Sequence, residues 1–453
     1  MIGWLDALKP VIERLTTNAQ TPVQSNGRGL EELVSKIPLD QRRSRTEALE
    51  ICGRLLDDGL RGSHPRCLGW FTAAPLEAAA AADLLVSWVN PQLAVRSASP
   101  GPVAVEERLV RDLAAFFGLG PDAGGVFTSG GSEASTTAVI LALAKRTPGF
   151  EERGLQTTRP TIYASVESHR SLEKIAVATG LGREALQLVP CAARFQMDPE
   201  ALQRQIDADR QSGRLPLMVA ATAGTTNVGA IDPLAHLAAV CEANDLWLHV
   251  DAAWGGAAAL SPSLRPLLRG IERADSITFD PHKGLSMPLG TGLLLVRDPA
   301  QLRIFAPHAA YVLPADVPAD PYCASLSWSR RFTGLRLLLP LLEEGWGSFA
   351  RRVEEQVRLG HWLAAQLQQR NWEILFESPL AIVCFADSRR PSAPHHAALA
   401  RHVADGGWAW LASTQVSGRP ALRACIASAA TSEADLEVVL DALDRARSEV
   451  SLG

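Results

Sequence analysis

From about residue 75 to residue 300 this 453-residue chain alternates short apolar runs with segments of helical period, and that alternation leaves few folds open. Residues 126–128, 161–165, 217–221, 246–251 and 276–279 read as strands, and 292–297 as a hairpin partner. Between them 102–117, 133–145, 171–179 and 234–244 read as helices. Strands separated by helices are joined by crossovers, which calls for a mostly parallel α/β sheet covered on both faces. Around this block, residues 1–65 read as a helical arm and 66–333 as the large domain. Residues 334–453 read as linking helices (334–344 and 348–370) and a smaller α/β unit with strands at 372–376, 381–386 and 421–428 and a closing helix at 433–447. Residues 305–325, with Pro307, Pro314, Pro318 and Pro321, read as a long irregular loop of the kind that serves as a lid.

Composition removes several classes of function. A chain that is 47% hydrophobic and 21% charged has ample core and is not disordered. A net charge of −5 argues against a dedicated nucleic-acid binder. The longest apolar run, near 78–89, is broken by Asp83 and falls short of a membrane span. Seven scattered cysteines form no C-x-x-C pair, so neither a structural zinc nor a disulfide framework is indicated. The first fifteen residues read as an amphipathic helix carrying acids rather than a signal peptide. The expectation is a cytoplasmic, metal-free enzyme.

Only five of the 44 basic residues are lysine: Lys9, Lys36, Lys145, Lys174 and Lys283. Arginine can solvate a surface and pair with carboxylates, but it cannot lose its proton near neutral pH and attack a carbonyl. Lys283 stands in Ser276-Ile-Thr-Phe-Asp280-Pro-His282-Lys283, where a buried strand emerges. A lysine desolvated there can serve as an imine-forming amine; a surface turn is the plainer alternative.

Three further segments carry chemistry. Gly125-Val-Phe-Thr-Ser129-Gly130-Gly131-Ser132-Glu133 reads as strand, glycine turn and helix start, whose free N–H groups suit a phosphate. It lacks the Walker lysine, the G-x-G-x-x-G pattern and the G-x-S-x-G elbow, and a plain capped turn is the commoner origin of such a segment. In Trp247-Leu-His249-Val-Asp251-Ala-Ala253 the alternation sets His249 and Asp251 on one strand face, with Asp251 at the C-terminal end, where parallel sheets bind ligands. A metal pair has no third ligand nearby, and a helix cap is the bland competitor. Tyr163-Ala-Ser-Val-Glu-Ser168-His169 ends a strand with a histidine, which by itself is more often a packed residue. The combination changes the balance, because pyridoxal phosphate asks for a phosphate cradle, an acid for its pyridine nitrogen and a lysine for its aldehyde.

The motifs TSGGSEA, ATAGTTNVGAID, LHVDAAWGG and DPHK, in this order and spacing, resemble the group II pyridoxal-phosphate-dependent amino-acid decarboxylases of fold type I, from about His64 to the last helix. The resemblance implies a mostly parallel seven-stranded sheet, a homodimer with a shared active site and a swapped N-terminal arm, and decarboxylation of an L-amino acid. It implies that Lys283 forms the imine, Asp251 meets the pyridinium, His169 stacks on the ring and Ala253 lies beneath it. Gly131 and Ser132 would cradle the phosphate, Thr226 would sit near the ring hydroxyl, and His282 would stand beside the imine. Tyr311 matches the mobile-loop tyrosine that helps protonate Cα, which favours decarboxylation over aldehyde synthesis. Arg330, in Ser329-Arg330-Arg331-Phe332, matches the family's arginine motif.

Two positions and one segment depart from the better-known members. Asp280 replaces an asparagine that reaches the phosphate, Ala73 replaces a substrate-contacting threonine, and the lid between Tyr311 and Arg330 is slightly shorter. Trp70 aligns with an aromatic residue of aromatic decarboxylases and tilts the expected substrate toward an aromatic or bulky apolar amino acid, whereas Arg96 could recruit an acidic one. Other reactions of the same cofactor, a catalytically silent binding paralogue and a serine hydrolase built on Ser132 are the alternatives.

Overall fold

The computed structural model describes residues 2–16, 21–24, 30–57, 59–307 and 320–450. The chain divides into two compact units, one of Met1–Ala74, Arg358–Glu377 and Ala381–Gly453, the other of Pro75–Val357 and Ser378–Leu380.

Helices α1 (Ile2–Leu15), α2 (Leu30–Ser35) and α3 (Arg45–Asp57) open the first unit. The second begins with α4 (Glu77–Val89) and α5 (Pro100–Phe116), the latter started by proline in its first turn, where no N–H is missed. Then come β1 (Gly124–Thr128), α6 (Gly131–Arg146), α7 (Phe150–Arg153), β2 (Pro160–Ser165), α8 (Ser171–Ala178) and β3 (Leu186–Val189). They are followed by α9 (Pro199–Gln211), β4 (Leu215–Thr222), α10 (Leu234–Asn244), β5 (Trp247–Asp251), β6 (Ser276–Phe279), the single turn α11 (Pro281–Gly284) and β7 (Gly292–Val296). Helix α12 (Leu335–Gln369) is interrupted at Gly345, whose φ of 71° only glycine adopts cheaply, so two helices are expected and two helical stretches result. The remaining elements are β8 (Glu373–Glu377), β9 (Ile382–Ala386), α13 (Ala393–Asp405), β10 (Ala412–Val416), β11 (Arg419–Cys425) and α14 (Glu433–Glu449).

In the second unit seven strands form one sheet in the order β1-β7-β6-β5-β4-β2-β3. Strands β6, β5, β4, β2 and β3 are parallel, and β7 is antiparallel to both β6 and β1, so β1 runs in the same sense as β6. The C-terminal ends of β1, β6, β5, β4 and β2 therefore share one edge, where ligands of parallel sheets collect. Helix α6 packs close to this sheet because its inner face is built from Ala134, Ala138 and Ala142 with Val139, Leu141 and Leu143. These meet Ile162, Ala164, Met218, Ala220 and Leu294 in one buried cluster. Each larger apolar side chain removed from water there contributes roughly 1.5–3 kcal/mol. The position of the α6 N-terminus at the sheet edge follows from that packing.

The four strands of the first unit are antiparallel in the order β10-β11-β9-β8. The segment after His64, read from sequence as a loop, runs beside this sheet: Leu68 N–H donates to the Trp410 carbonyl at 2.8 Å, and Cys425 N–H donates to the Leu68 carbonyl. Gly69 is obligatory here, since a Cβ would fall 2.0 Å from the Trp410 ring. No helix among the described residues is long and apolar enough to cross a membrane.

Candidate active site at the sheet edge

Five strand ends each deliver a group nominated by the sequence. Beyond β1, Gly130 takes a φ of 149° that glycine favours, and Gly131 starts α6 with its N–H free of helical bonding. Beyond β6, Asp280 is followed by α11, whose one turn sets Lys283 three residues on, its Nζ 3.1 Å from Asp280 Oδ2. The same Oδ2 accepts from Gly131 N–H at 3.2 Å, and His282 Nε2 lies 3.7 Å away. Asp251 ends β5 and accepts from Ala253 N–H at 3.1 Å. A Cβ added to Gly131 would fall 3.2 Å from Asp280 and 3.5 Å from the Ala253 methyl, which puts cradle, acid and alanine side by side.

The next strands continue the row. Thr222 ends β4 in register with Asp251, and Thr226 is half-buried in the turn four residues on. Ser168, after β2, meets the Thr222 hydroxyl at 3.2 Å, so His169 is set beside that turn. His169 Nδ1 accepts from Ser171 N–H at 3.3 Å and lies 2.9 Å from the Ser171 hydroxyl, while the ring is exposed. Ser132, on the first turn of α6, is exposed as well.

His249 is not a ligand in waiting. Its Nδ1 meets Ser276 Oγ at 2.8 Å and its Nε2 meets Thr278 Oγ1 at 3.2 Å and Ser135 Oγ at 3.3 Å. Complete burial pushes its pKa down to about 4, so the ring is neutral and ties β5, β6 and α6 together. No group of three or more metal-ligating side chains occurs among the described residues.

His282 is held from behind. Its Nδ1 donates to the Thr291 carbonyl at 2.8 Å, and Arg336 of α12 donates to the Thr291 hydroxyl at 3.1 Å while its Nε bonds Asp83 of α4 at 2.8 Å. Burial lowers the His282 pKa, with the Asp280 charge opposing that shift. Sequence reasoning missed Ser135, Thr291 and Arg336. They belong to no local motif, and only the packing of α6, β7 and α12 around α11 reveals them.

The nominated arginines go elsewhere. Arg96 gives two bonds to Glu107, at 3.2 and 2.5 Å, and its own N–H goes to Asp320. Arg330 is joined at 2.5 Å to Glu106, whose other oxygen accepts from Thr333 and Gly334 N–H. Burial raises the Glu106 pKa against the pull of Arg330. Arg330, with Glu106 and Glu107 of α5, lines a cavity of about 90 Å³ together with Phe127 and Pro321. In the other unit Trp70 is half exposed and meets Trp410 edge to face at 5.1 Å, and Ala73 is buried. Tyr311 lies outside the described residues.

These residues fit pyridoxal phosphate: a helix N-terminus opened by two glycines, a lysine at its rim, an acid at a neighbouring strand end and an exposed imidazole beyond. The one feature at odds with a phosphate is the Asp280 carboxylate seated on Gly131 N–H.

Comparison with known proteins bears on this arrangement. The family described as the pyridoxal-dependent decarboxylase conserved domain matches residues 33–387. Human cysteine sulfinic acid decarboxylase is 34% identical over 366 residues, covering 78% of this chain and 74% of that protein. The acidic amino acid decarboxylase GADL1 of Xenopus tropicalis is 33% identical over 354 residues, covering 76% and 69%. The crystal structure of mouse CSAD superposes with a TM-score of 0.92 at 28% identity, covering 98% of each chain.

Proposed function

The chain belongs to the pyridoxal-dependent decarboxylase family, and from that premise we propose which residues serve the reaction and what kind of side chain its substrate carries. The protein is a pyridoxal-phosphate-dependent lyase that removes the α-carboxylate of an amino acid through a lysine Schiff base. Bound to that lysine, the cofactor supplies an electron sink for the pair left at Cα when carbon dioxide departs.

In this reading Lys283 is the Schiff-base lysine, carried on the α11 turn to the rim of the cradle. Asp251, fixed at the end of β5 by the Ala253 N–H, would meet the pyridine nitrogen. His169, fixed through Nδ1 by Ser171, offers an exposed ring face that would stack on the cofactor ring and help orient the substrate. Ala253 would leave room on the opposite face, Thr226 would sit near the ring hydroxyl, and Gly131 with Ser132 would present N–H groups to the phosphate. Tyr311 is proposed to return the proton to Cα. The observation that carries the reading is the convergence of Gly131, Asp280, Lys283, Ala253 and Asp251 at one sheet edge.

For the substrate, the supporting observation is that Arg96 and Arg330 form a set already paired with glutamates, so neither is free to receive an acidic side chain. An aromatic or bulky apolar amino acid suits that set. The second reading, an acidic amino acid, is favoured by the names of the relatives. Carbon dioxide release from tryptophan, tyrosine and phenylalanine against cysteine sulfinate, aspartate and glutamate decides between them. Turnover confined to the second group would overturn the apolar reading.

The protein is further proposed to act as a homodimer in the cytoplasm. Leu84, Leu85, Trp88 and Val89 leave an apolar stripe exposed on α4, which suits a second copy, and all seven cysteines are free thiols, which suits a reducing compartment.

A further inference from the structure

Asp280 is a buried carboxylate in the wrong company for a phosphate site. Its residue is 1% exposed, and its Oδ2 is engaged by Gly131 N–H and Lys283 Nζ. Its Oδ1, equally buried, has no hydrogen-bond partner. That oxygen is packed against Gly292, where a Cβ would fall 2.8 Å from it. Two changes strike this acid when the cofactor arrives. A phosphate enters the N-terminus of α6 that Oδ2 occupies, and the Lys283 nitrogen that balances its charge is committed to the cofactor. Two anions sharing one site cannot both stay ionised without a compensating cation.

The compensating group is on the same turn. His282 Nδ1 faces the Thr291 carbonyl, which can only accept, so Nδ1 carries the hydrogen and the lone pair of the neutral ring is on Nε2, 3.7 Å from Asp280 Oδ2. The other charged groups facing this pair are Lys283 and Arg336, and Arg336 is already held by Asp83. Glu133, on the first turn of α6, is turned to the N–H and hydroxyl of Ser129, and Ala253 and Gly292 bring no charge.

We propose that the Asp280–His282 pair takes up one proton when the phosphate of pyridoxal phosphate enters the α6 cradle, making cofactor affinity proton-linked in this chain. The proton comes from solvent and bonds to the Nε2 lone pair, converting imidazole to imidazolium. No other bond forms or breaks. Burial lowers the His282 pKa and so works against a charged ring, while the neighbouring Asp280 charge works in its favour. Binding that takes up a proton weakens as pH rises, by up to about tenfold per unit for one proton. The proposal rests on the cofactor assignment and adds to it the role of an acid where an amide would carry no charge.

The test compares pyridoxal phosphate with pyridoxal on full-length apoprotein, by calorimetry in two buffers of different ionisation enthalpy. Comparing wild type with Asp280→Asn for each ligand cancels the ring and imine contributions, including the internal hemiacetal that only pyridoxal forms, and leaves the part of the phosphate response that depends on Asp280. Wild type is expected to take up close to one proton more with pyridoxal phosphate than with pyridoxal, and Asp280→Asn markedly less. The phosphate's advantage in affinity then falls between pH 7 and 9 in wild type and stays nearly flat in Asp280→Asn. A second variant, His282→Gln, keeps the acid and loses the proton acceptor, and is expected to reduce the preference for the phosphorylated ligand at least tenfold. Equal proton uptake by wild type and Asp280→Asn, or an unchanged preference in His282→Gln, would overturn the proposal alone. Failure of both ligands to bind would overturn it together with the cofactor assignment.

Discussion

Two aspartates, one in each unit, are about equally buried and differ in everything else. Asp387, after β9, is surrounded by Arg389 at 2.9 and 3.1 Å, Arg447 at 3.3 Å and His395 at 3.3 Å. Burial would raise its pKa, but those partners outweigh burial and hold the acid below its ordinary value. Arg447 is itself braced over the Trp372 ring at 3.6 Å. Asp280 has a single lysine, one backbone N–H, the His282 ring at 3.7 Å and an oxygen with no hydrogen-bond partner. Burial of a carboxylate is therefore not the mark of a site. The mark is what balances it: permanently charged arginines make a staple, whereas a lysine can be diverted to chemistry.

Four substitutions can break or sharpen this contrast. Lys283→Ala is expected to remove the visible imine band and lower carbon dioxide release by at least ~1,000-fold, about 4 kcal/mol of barrier, with thermal stability nearly unchanged. A large loss of stability would mean that Lys283, too, is a staple. Asp387→Ala should do the reverse, costing about 3–5 kcal/mol of stability by stranding the buried Arg447, while the folded fraction keeps its cofactor band. Because the folded pKa of Asp387 is depressed, its contribution is present above the unfolded value of about 4 and lost as pH falls through the folded one. Asp387→Asn should accordingly flatten the acid limb of a urea-melting profile, and an unaltered limb would contradict the staple. The smallest effect is expected at Arg96, whose pairing with Glu107 is partly exposed. Arg96→Ala should cost about 0–1 kcal/mol and leave the KM for the best substrate within roughly twofold. A KM raised tenfold or more on an acidic amino acid would return that arginine to the substrate list.

Much of the large sheet is legible along the chain because its strands are short apolar runs separated by amphipathic helices. Among the elements without a sequence expectation are β3, α9, α13 and β10. Strand β3 lies at the sheet edge with a mixed pattern, and β10 alternates only partly buried residues, so neither shows a continuous apolar run. Helix α9 is polar, and its clearest signal is local: Asp198 caps it by accepting from Glu200 and Ala201 N–H, and Pro199 follows. The segment around Leu68 and Gly69 reads as a loop because its partners, Trp410 and Cys425, are more than 300 residues away.

At the site the division is sharper. The sequence alone singles out Lys283, because a chain that uses arginine nearly everywhere still places an amine where a strand emerges, and it nominates Gly131, Asp251 and His169 as company. It could not tell that Arg96 and Arg330 would be claimed by Glu107 and Glu106, since charge pairing depends on which faces α5 meets. Nor could it tell that Asp280 would rest on Gly131 N–H with His282 steered by Thr291 and Arg336. Residue types set which chemistry is possible, because an imine needs an amine and a phosphate needs free N–H groups. Tertiary packing decided which charges are balanced, because Coulombic partners are set by distance in space and not along the chain.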